Sequence, residues 1–319
     1  MTDFRPPTFS AILPVFQESS HLTLVLQRVN QELVALGEAY EIILVDDGSY
    51  DDTWAVIQAE SERYPSTRAI QLSRNFGKES AIIAGLRVAR GSAVLVMDAD
   101  LQHPPELIPV MVDIWRRGEA EVVEAVKVLR GEETWAYRMS ARLFYFIMNR
   151  TSGFNMANSS DFKLMDRKVV KALLTLKERR TFYRGLTEWV GFRKVQIPFN
   201  VPERIGGNSK WSFPALVKFS INAVTSFSTI PLFFVSLSGL IFFFLAMALA
   251  AQTLFVYLSG KAVSGFTTVI LLILITGSWI MICLGIVGEY LGRIFEEIKG
   301  RPRFIVRKSI NIDGDQTDD

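Results

Sequence analysis

Cysteine is almost absent: Cys283 stands alone among 319 residues, which excludes an intrachain disulfide framework and a cysteine-rich zinc site. Its apolar surroundings mark it as an inert, buried thiol. Histidine is nearly as scarce, and His21 and His103 are too few for a histidine metal cluster. An excess of one charge is missing too. The 35 Lys+Arg stand against 33 Asp+Glu, a net charge of +2, which argues against a nucleic-acid binder driven by bulk charge. No Gly-x-Gly-x-x-Gly follows the first strand-like run and no Walker lysine loop occurs anywhere, so the usual dinucleotide and ATP frameworks are excluded. No repeat of fixed period is visible. The N-terminal Met1-Thr-Asp-Phe-Arg-Pro-Pro7 lacks the apolar core of a signal peptide, so residues 1 to about 225 are expected to stay in the cytoplasm.

What the chain does have is two long stretches without charge. None occurs between Lys218 and Lys261, or between Lys261 and Glu289. Ile230 to Leu258 and Phe266 to Gly288 are each long enough to cross a hydrocarbon core of about 30 Å as a helix. A pair of buried helices in a soluble core is the alternative, but segments such as Leu240-Ile-Phe-Phe-Phe-Leu-Ala-Met247 are apolar on every face. Arg204, Lys210 and Lys218 precede the first span, and Arg293, Lys299, Arg301, Arg303, Arg307 and Lys308 follow the second. Only Lys261 lies between the spans. This distribution predicts a multi-pass protein of the plasma membrane with both ends in the cytoplasm. The terminal Asp313-Gly-Asp-Gln-Thr-Asp-Asp319 reads as a disordered acidic tail.

The first half alternates short β-rich runs with helical patterns. Ser10–Phe16, Glu41–Val45, Arg68–Leu72, Ser92–Met97 and Glu121–Val126 read as strands; His21–Leu36, Asp52–Arg63, Lys78–Ala89, Pro104–Arg117 and Trp135–Asn149 read as helices. The strands are apolar nearly throughout, as strands covered on both faces are. Alternation of this kind predicts an α/β fold with a mostly parallel sheet. The expected organisation is a catalytic domain over residues 1–199, a basic loop and interfacial amphipathic helix over 200–229, spans over 230–258 and 266–290 joined by an external loop at 259–265, and a cytoplasmic tail over 291–319. In the linking region, Phe213, Leu216, Val217, Ser220, Ile221 and Val224 recur at helical spacing beside Trp211, which suits the membrane interface.

Ligands of such sheets gather at the carboxyl ends of the strands. Asp46-Asp47-Gly48-Ser49 follows the second strand, and Asp98-Ala99-Asp100 the fourth. Two carboxylates at i, i+2 just past a strand can face one divalent cation, Mg²⁺ or Mn²⁺, with Gln102 as a further oxygen ligand. A nucleoside diphosphate leaving group needs such a cation, because negative charge builds on its outer phosphate as the bond to the sugar breaks.

These segments bring a family into view. Leu13-Pro-Val-Phe-Gln-Glu18, Glu41-Ile-Ile-Leu-Val-Asp-Asp-Gly-Ser49, Ser73-Arg-Asn-Phe-Gly-Lys78, Met97-Asp-Ala-Asp-Leu-Gln102, Ser160-Asp-Phe-Lys-Leu-Met-Asp166, Thr225-Ser-Phe-Ser-Thr229 and Gly288-Glu-Tyr-Leu-Gly-Arg293 span most of residues 10 to 305. Together they resemble the family 2 glycosyltransferases, specifically the polyprenyl-phosphate group that includes bactoprenol glucosyltransferases and dolichyl-phosphate mannose synthases. The resemblance implies a GT-A (Rossmann-like) nucleotide-sugar domain and inverting transfer of a hexose to polyprenyl phosphate. Glucose from UDP-glucose is the expected donor, with GDP-mannose, UDP-N-acetylhexosamine and UDP-aminoarabinose left open. Nucleotide-sugar contacts would fall on Pro14, Phe16, Glu18, Asp46, Lys78 and Asp98, and catalysis on Asp100 and Asp161. The family's acidic residue near the acceptor is commonly read as a general base. A phosphate monoester is already largely dianionic at pH 7, so Asp161 is expected to position the reacting groups instead.

A dianion beside a metal-diphosphate needs cations, and Lys127, Arg130, Arg138, Arg204 and Lys210, with Ser209, are the candidates for the acceptor phosphate. Where relatives carry an arginine after a Gly-Val or Gly-Ser pair, this chain reads Val123-Glu124-Ala125-Val126-Lys127, and lysine cannot bind phosphate bidentately. Similar proteins self-associate, which implies a homo-oligomer in the bilayer without nucleic acid. Two rivals remain. A processive polysaccharide synthase would need more spans and a Gln-x-x-Arg-Trp segment, where this chain has Arg184-Gly-Leu-Thr-Glu-Trp189. A silent nucleotide-sugar-binding scaffold would not need Asp98, Asp100, Asp161 and Lys210 together.

Overall fold

The computed structural model describes residues 7–100, 102–127, 159–176, 178, 182–200, 230–260 and 265–312. The expected helix over Trp135–Asn149, the interfacial helix, most of the loop at 259–265, the acidic tail, and the candidates Arg130, Arg138, Arg204, Ser209 and Lys210 lie outside the described residues. The chain divides into two compact units, one holding a sheet that includes the described residues after Gly300, the other holding two long helices.

The first unit runs β1 (Phe9–Val15), α1 (Leu22–Ala35), β2 (Tyr40–Asp46), α2 (Thr53–Arg63), β3 (Thr67–Leu72), α3 (Lys78–Val88), β4 (Ala93–Val96), a 3-10 turn (Pro105–Leu107) leading into α4 (Ile108–Arg116), β5 (Val122–Lys127), β6 (Lys163–Asp166), α5 (Arg167–Thr175), α6 (Tyr183–Trp189), β7 (Lys194–Phe199) and, after the second unit, β8 (Val306–Ile310). Strands β2 and β3 are buried along almost their whole length, which explains their continuous apolar character. α1 turns Leu22, Val25, Leu26, Val29 and Leu33 inward, a stripe of helical period. α3 lies so close to β1 that a Cβ on Gly85 would stand 2.4 Å from the Ile12 side chain.

The sheet order is β7-β5-β6-β4-β1-β2-β3-β8. β1 pairs in parallel with β2 and β4, β2 with β3, and β5 with β7, whereas β6 is antiparallel to β4 and β5, and β8 to β3. Most strands therefore share one direction, and β6 and β8 run against it. The reversal of β6 has a chemical consequence. Its entry end, with Ser160 and Asp161 just before it, lies at the same sheet edge as the exits of β1, β2, β4 and β5.

β8 belongs to the segment read from sequence as a tail. Its register places Ala69 opposite Ile310 and Gln71 opposite Lys308. Arg68 is buried and donates to Glu41, the Val88 carbonyl and the Asn311 carbonyl, while the Asn311 amide donates to the Thr67 carbonyl. Those bonds cover the β3 edge that would otherwise lie open.

In the second unit, α7 (Ile230–Leu258) and α8 (Phe266–Ile298) are long and apolar enough to cross a membrane. Their most apolar windows reach mean hydropathies of 2.5 and 2.6 with none of those residues buried. α8 continues past residue 290 to Ile298. The Trp279 indole donates to Ser238 Oγ at 3.0 Å and stacks on Phe242 at 5.8 Å, so the two helices are joined by a polar contact within an apolar face.

Candidate active site

At the shared sheet edge lies a cleft of about 380 Å³ lined by Pro14, Val15, Phe16, Glu18, Asp47, Asn75, Gly77, Lys78, Ala81, Asp98, Ala99 and Asp100. Pro14, Phe16, Glu18, Lys78, Asp98 and Asp100, all chosen from sequence, are thus brought together. Backbone hooks hold the loops that carry them. Gln17 N–H donates to Ser49 Oγ and Glu18 N–H to Thr53 Oγ1, tying the loop after β1 to the loop after β2. The Phe16 ring meets Tyr50 edge-on at 6.2 Å, and the Glu18 carboxylate pairs with His21.

The two acids after β2 divide their work. Asp46 is fully buried, accepting from Ser49 N–H and Gln71 Nε2, and it does not line the cleft. Asp47 does, and it accepts from the N–H groups of Phe76 and Gly77 at 2.7 and 2.9 Å. Burial pushes its carboxyl up to about 6 against those two bonds. The turn after Asp47 needs glycine: Gly48 has φ +70°, and a Cβ there would fall 2.4 Å from the backbone of Arg74. Gly77, at φ +96°, supplies the matching bend before α3.

After β4, the Asp98 N–H donates to Nδ1 of His103 at 2.9 Å, and Asp100 Oδ1 accepts from Gln102 N–H at 3.0 Å. His103 is buried and stacks on Phe162 at 5.0 Å. Burial lowers its pKa, consistent with a neutral ring whose Nδ1 accepts. It links the Asp98 turn to the strand that follows Asp161. Lys127, at the exit of β5, brings Nζ within 3.5 Å of Gln102 Oε1.

Asp161 is the centre of a chain of charges. Lys78 Nζ lies 2.5 Å from Asp98 Oδ1 and 2.5 Å from Asp161 Oδ2. On the other side Arg184 holds Asp161 with a fork, Nε to Oδ1 at 2.8 Å and Nη2 to Oδ2 at 3.0 Å. Burial pushes the Asp161 carboxyl up, but Arg184 and Lys78 outweigh it and hold it far below the usual carboxylate range. Both oxygens are engaged, so this carboxylate orients cations and has little tendency to take a proton.

From sequence, Asp47 and Asn75 stand out only within their motifs, and Arg184 and His103 have no assigned role at the cleft. Arg184 lies 23 residues from its partner in a segment without a motif, so only tertiary contact reveals it. Asp98 and Asp100 suit a divalent cation by their donor set. Two carboxylates leave most of an octahedron to diphosphate oxygens and water, as Mg²⁺ tolerates. Gln102 stands beside them with its amide oxygen toward Lys127.

The glycosyl transferase family 2 model matches residues 10–174. This chain belongs to glycosyltransferase family 2. Its curated relatives cover it almost end to end. An uncharacterised glycosyltransferase of Synechocystis is 40% identical over 93% of this chain and 94% of its own length. A prophage-derived bactoprenol glucosyl transferase of Shigella flexneri is 34% identical over 94% and 97%. The undecaprenyl-phosphate 4-deoxy-4-formamido-L-arabinose transferase of Edwardsiella ictaluri is 34% identical over 97% of each chain. Among solved structures, glucosyl-3-phosphoglycerate synthase of Mycobacterium tuberculosis, crystallised with Mn²⁺ and UDP-glucose, superposes with a TM-score of 0.48 at 20% identity, covering 68% of this chain and 77% of that one. The mixed α/β sheet is the GT-A-like fold of this family.

Proposed function

We propose that this family 2 enzyme transfers a hexose from a nucleotide-sugar to polyprenyl phosphate, with glucose from UDP-glucose as donor and undecaprenyl phosphate as acceptor. The observation that carries the proposal is the meeting of Pro14, Phe16, Glu18, Lys78, Asp98 and Asp100 around one cleft, with Asp161 joined to it through Lys78. Relatives named for bactoprenol and undecaprenyl phosphate support the acceptor.

Phe16 and its neighbour Tyr50 offer a face for a nucleobase, and Glu18 and Asp47 offer acceptors for ribose hydroxyls. Asp46 acts from beneath, holding the turn that presents Asp47. Asp98 and Asp100 would hold Mg²⁺ or Mn²⁺, with Gln102 nearby, and such an ion neutralises the departing diphosphate. Lys78 adds a fixed positive charge at the same place. The acceptor phosphate oxygen attacks the anomeric carbon as the bond to the diphosphate breaks, and the bonding pair leaves with the diphosphate. One displacement inverts the centre, giving a β-linked sugar from an α-linked donor. Because the acceptor is largely dianionic near neutrality, Asp161 fixes Lys78 and Arg184 and need not remove a proton. Lys127 faces the acceptor, with Arg130, Arg138, Arg204, Ser209 and Lys210 as further contacts.

Connectivity supports the proposed membrane setting. The chain leaves the sheet unit before α7 and returns to it as β8 after α8. If both helices span, their two outer ends lie on one side of the bilayer. The basic flanks support the cytoplasm as that side. The expected boundaries of 200–229 for the interfacial region, and self-association in the bilayer, belong to the same proposal.

Purified protein supplied with undecaprenyl phosphate and a panel of donors tests this reading. UDP-glucose is expected to give a β-linked glycolipid, and GDP-mannose, UDP-N-acetylhexosamine and UDP-aminoarabinose little product. Transfer from another donor would correct the sugar; an α-linked product would overturn the inverting mechanism.

A further inference from the structure

Beneath the Asp161–Arg184 fork lies a second set of charges that the reaction itself does not use. Glu124 and Lys163 are both fully buried, and their charged atoms are 3.3 Å apart. They stand directly opposite each other across β5 and β6, and Gln196 stands opposite Glu124 on β7. A polar row thus crosses three strands that are otherwise largely apolar here. Burying a charge pair costs several kcal/mol per ion before the partners repay it, so a fold keeping one uses its geometry or tolerates its cost.

The bonds made by the pair point in one direction. Glu124 Oε1 accepts from Ser159 Oγ at 2.7 Å and from Ser160 N–H at 2.9 Å, and Oε2 accepts from Gln196 Nε2 at 2.9 Å. Ser160 Oγ in turn donates to the Ala125 carbonyl and accepts from Phe162 N–H. The residues on both sides of Asp161 are therefore latched to β5. Lys163 Nζ donates to Thr187 Oγ1 at 2.5 Å and sits over the Tyr183 ring at 5.5 Å. Thr187 and Tyr183 are on α6, and Thr187 Oγ1 donates to the carbonyl of Arg184. One end of the pair sets the backbone that carries Asp161; the other sets the helix that carries Arg184. Lys194 adds a charge 3.3 Å from Glu124 Oε2 and also pairs with Glu188 on α6.

We propose that Glu124 and Lys163 are positioning residues, a buried pair that fixes the separation and orientation of Asp161 and Arg184. This rests on the function proposed above for its kinetic readout, though not for its structural one. A pair kept only for stability would be replaceable: exchanging both partners for apolar residues of similar size is often neutral in stability, whereas removing one leaves an uncompensated charge. A positioning pair is not replaceable in that way, because Ser160 and Thr187 lose their partners.

The full-length protein in detergent tests this with Glu124→Leu, Lys163→Met and the double variant. Melting temperature, donor affinity by calorimetry with UDP-glucose and metal, and kcat would be measured together. The pair predicts that Glu124→Leu, which strands the buried Lys163, melts earliest, that Lys163→Met, which leaves Glu124 with Lys194, melts less early, and that the double variant regains much of the melting temperature lost in Glu124→Leu. In the double variant the donor Kd stays within about twofold, yet kcat stays roughly 10- to 100-fold down, the scale of a small misplacement of reacting groups. The Arg184 Nε–H nitrogen resonance, assigned by its loss in Arg184→Lys, shifts as well. Thr187→Val, which retains the charges, gives the same resonance shift and a smaller kcat loss, and it judges the proposal if the double variant does not fold. A double variant with wild-type kcat and an unmoved Arg184 resonance would overturn the inference, as would an unmoved resonance in Thr187→Val. If the wild-type chain moves no sugar to polyprenyl phosphate, the functional proposal has failed, and the Arg184 resonance alone decides this one.

Discussion

The two halves of the sheet hold their functional groups by different means. On the side of β1 to β4, the one buried ion pair among the described residues, Arg68–Glu41, lies at the strand entries, and at the exits hydrogen bonds to backbone N–H groups shape the loops: Ser49 to Gln17, Thr53 to Glu18, Asp47 to Phe76 and Gly77. On the side of β5 to β7, the support is ionic. Glu124, Lys163, Lys194 and Glu188 link three strands to α6, and that network supports the buried Asp161 and the half-buried Arg184 that form the fork. In the proposed function the first half is the frame that receives the metal-diphosphate. The second sets one geometry and depends on every member, because a low-dielectric interior penalises each unpaired charge.

The largest expected effect is on the first side. Asp100→Asn, or removal of divalent ions by a chelator, should lower transfer by about 10²- to 10³-fold, the usual effect of losing charge stabilisation at a leaving group, with melting temperature nearly unchanged. Next comes the fork. Arg184→Lys retains the charge and loses the two parallel bonds; kcat should fall roughly 10- to 100-fold. Combining it with Asp161→Asn should cost less than the sum of the two losses, because the residues act as one unit. Additive losses in that cycle would separate them.

Stability gives the smaller effects. Burial raises the Glu124 carboxyl, but Lys163, Gln196, Ser159 and Lys194 outweigh it and bring it down from 4.5 to about 2. A folded-state pKa below the unfolded one means stabilisation present above 4.5 and lost as pH falls toward 2. Acid unfolding followed by circular dichroism should therefore be shallower across that window in the Glu124→Leu/Lys163→Met double variant than in wild type. Smallest is Asn311→Ala at the β8 edge. Losing the bond from the Asn311 amide to the Thr67 carbonyl, at a residue with φ +57°, should cost about 1 kcal/mol in urea unfolding without a change in kcat.

The same contrast explains what the sequence made legible. β1 to β4 and α1 to α4 came out near their observed limits, because continuous apolar strands and helical stripes are local signals. The acids at their exits were found with them. Asp46 and Asp47 could not be separated, since which of two adjacent carboxylates faces the cleft depends on where the strand ends and on Gln71 from the neighbouring strand. Arg184 and the Glu124–Lys163 pair were out of reach because their partners are distant in sequence. β8 was hidden for another reason. Val306-Arg-Lys-Ser-Ile310 carries two adjacent basic residues within reach of a span, and a flanking-charge reading accounts for them without a strand. Only pairing with β3 gives Val306 and Ile310 a role.

The central claim is that Asp98 and Asp100 serve a departing diphosphate while polyprenyl phosphate takes the sugar. Incubating the purified protein with UDP-[¹⁴C]glucose and undecaprenyl phosphate, with and without Mg²⁺, measures it directly. Label is expected in the lipid fraction only when both the lipid phosphate and the cation are present. Equal lipid labelling after complete chelation, or label released as free sugar regardless of lipid, would contradict it.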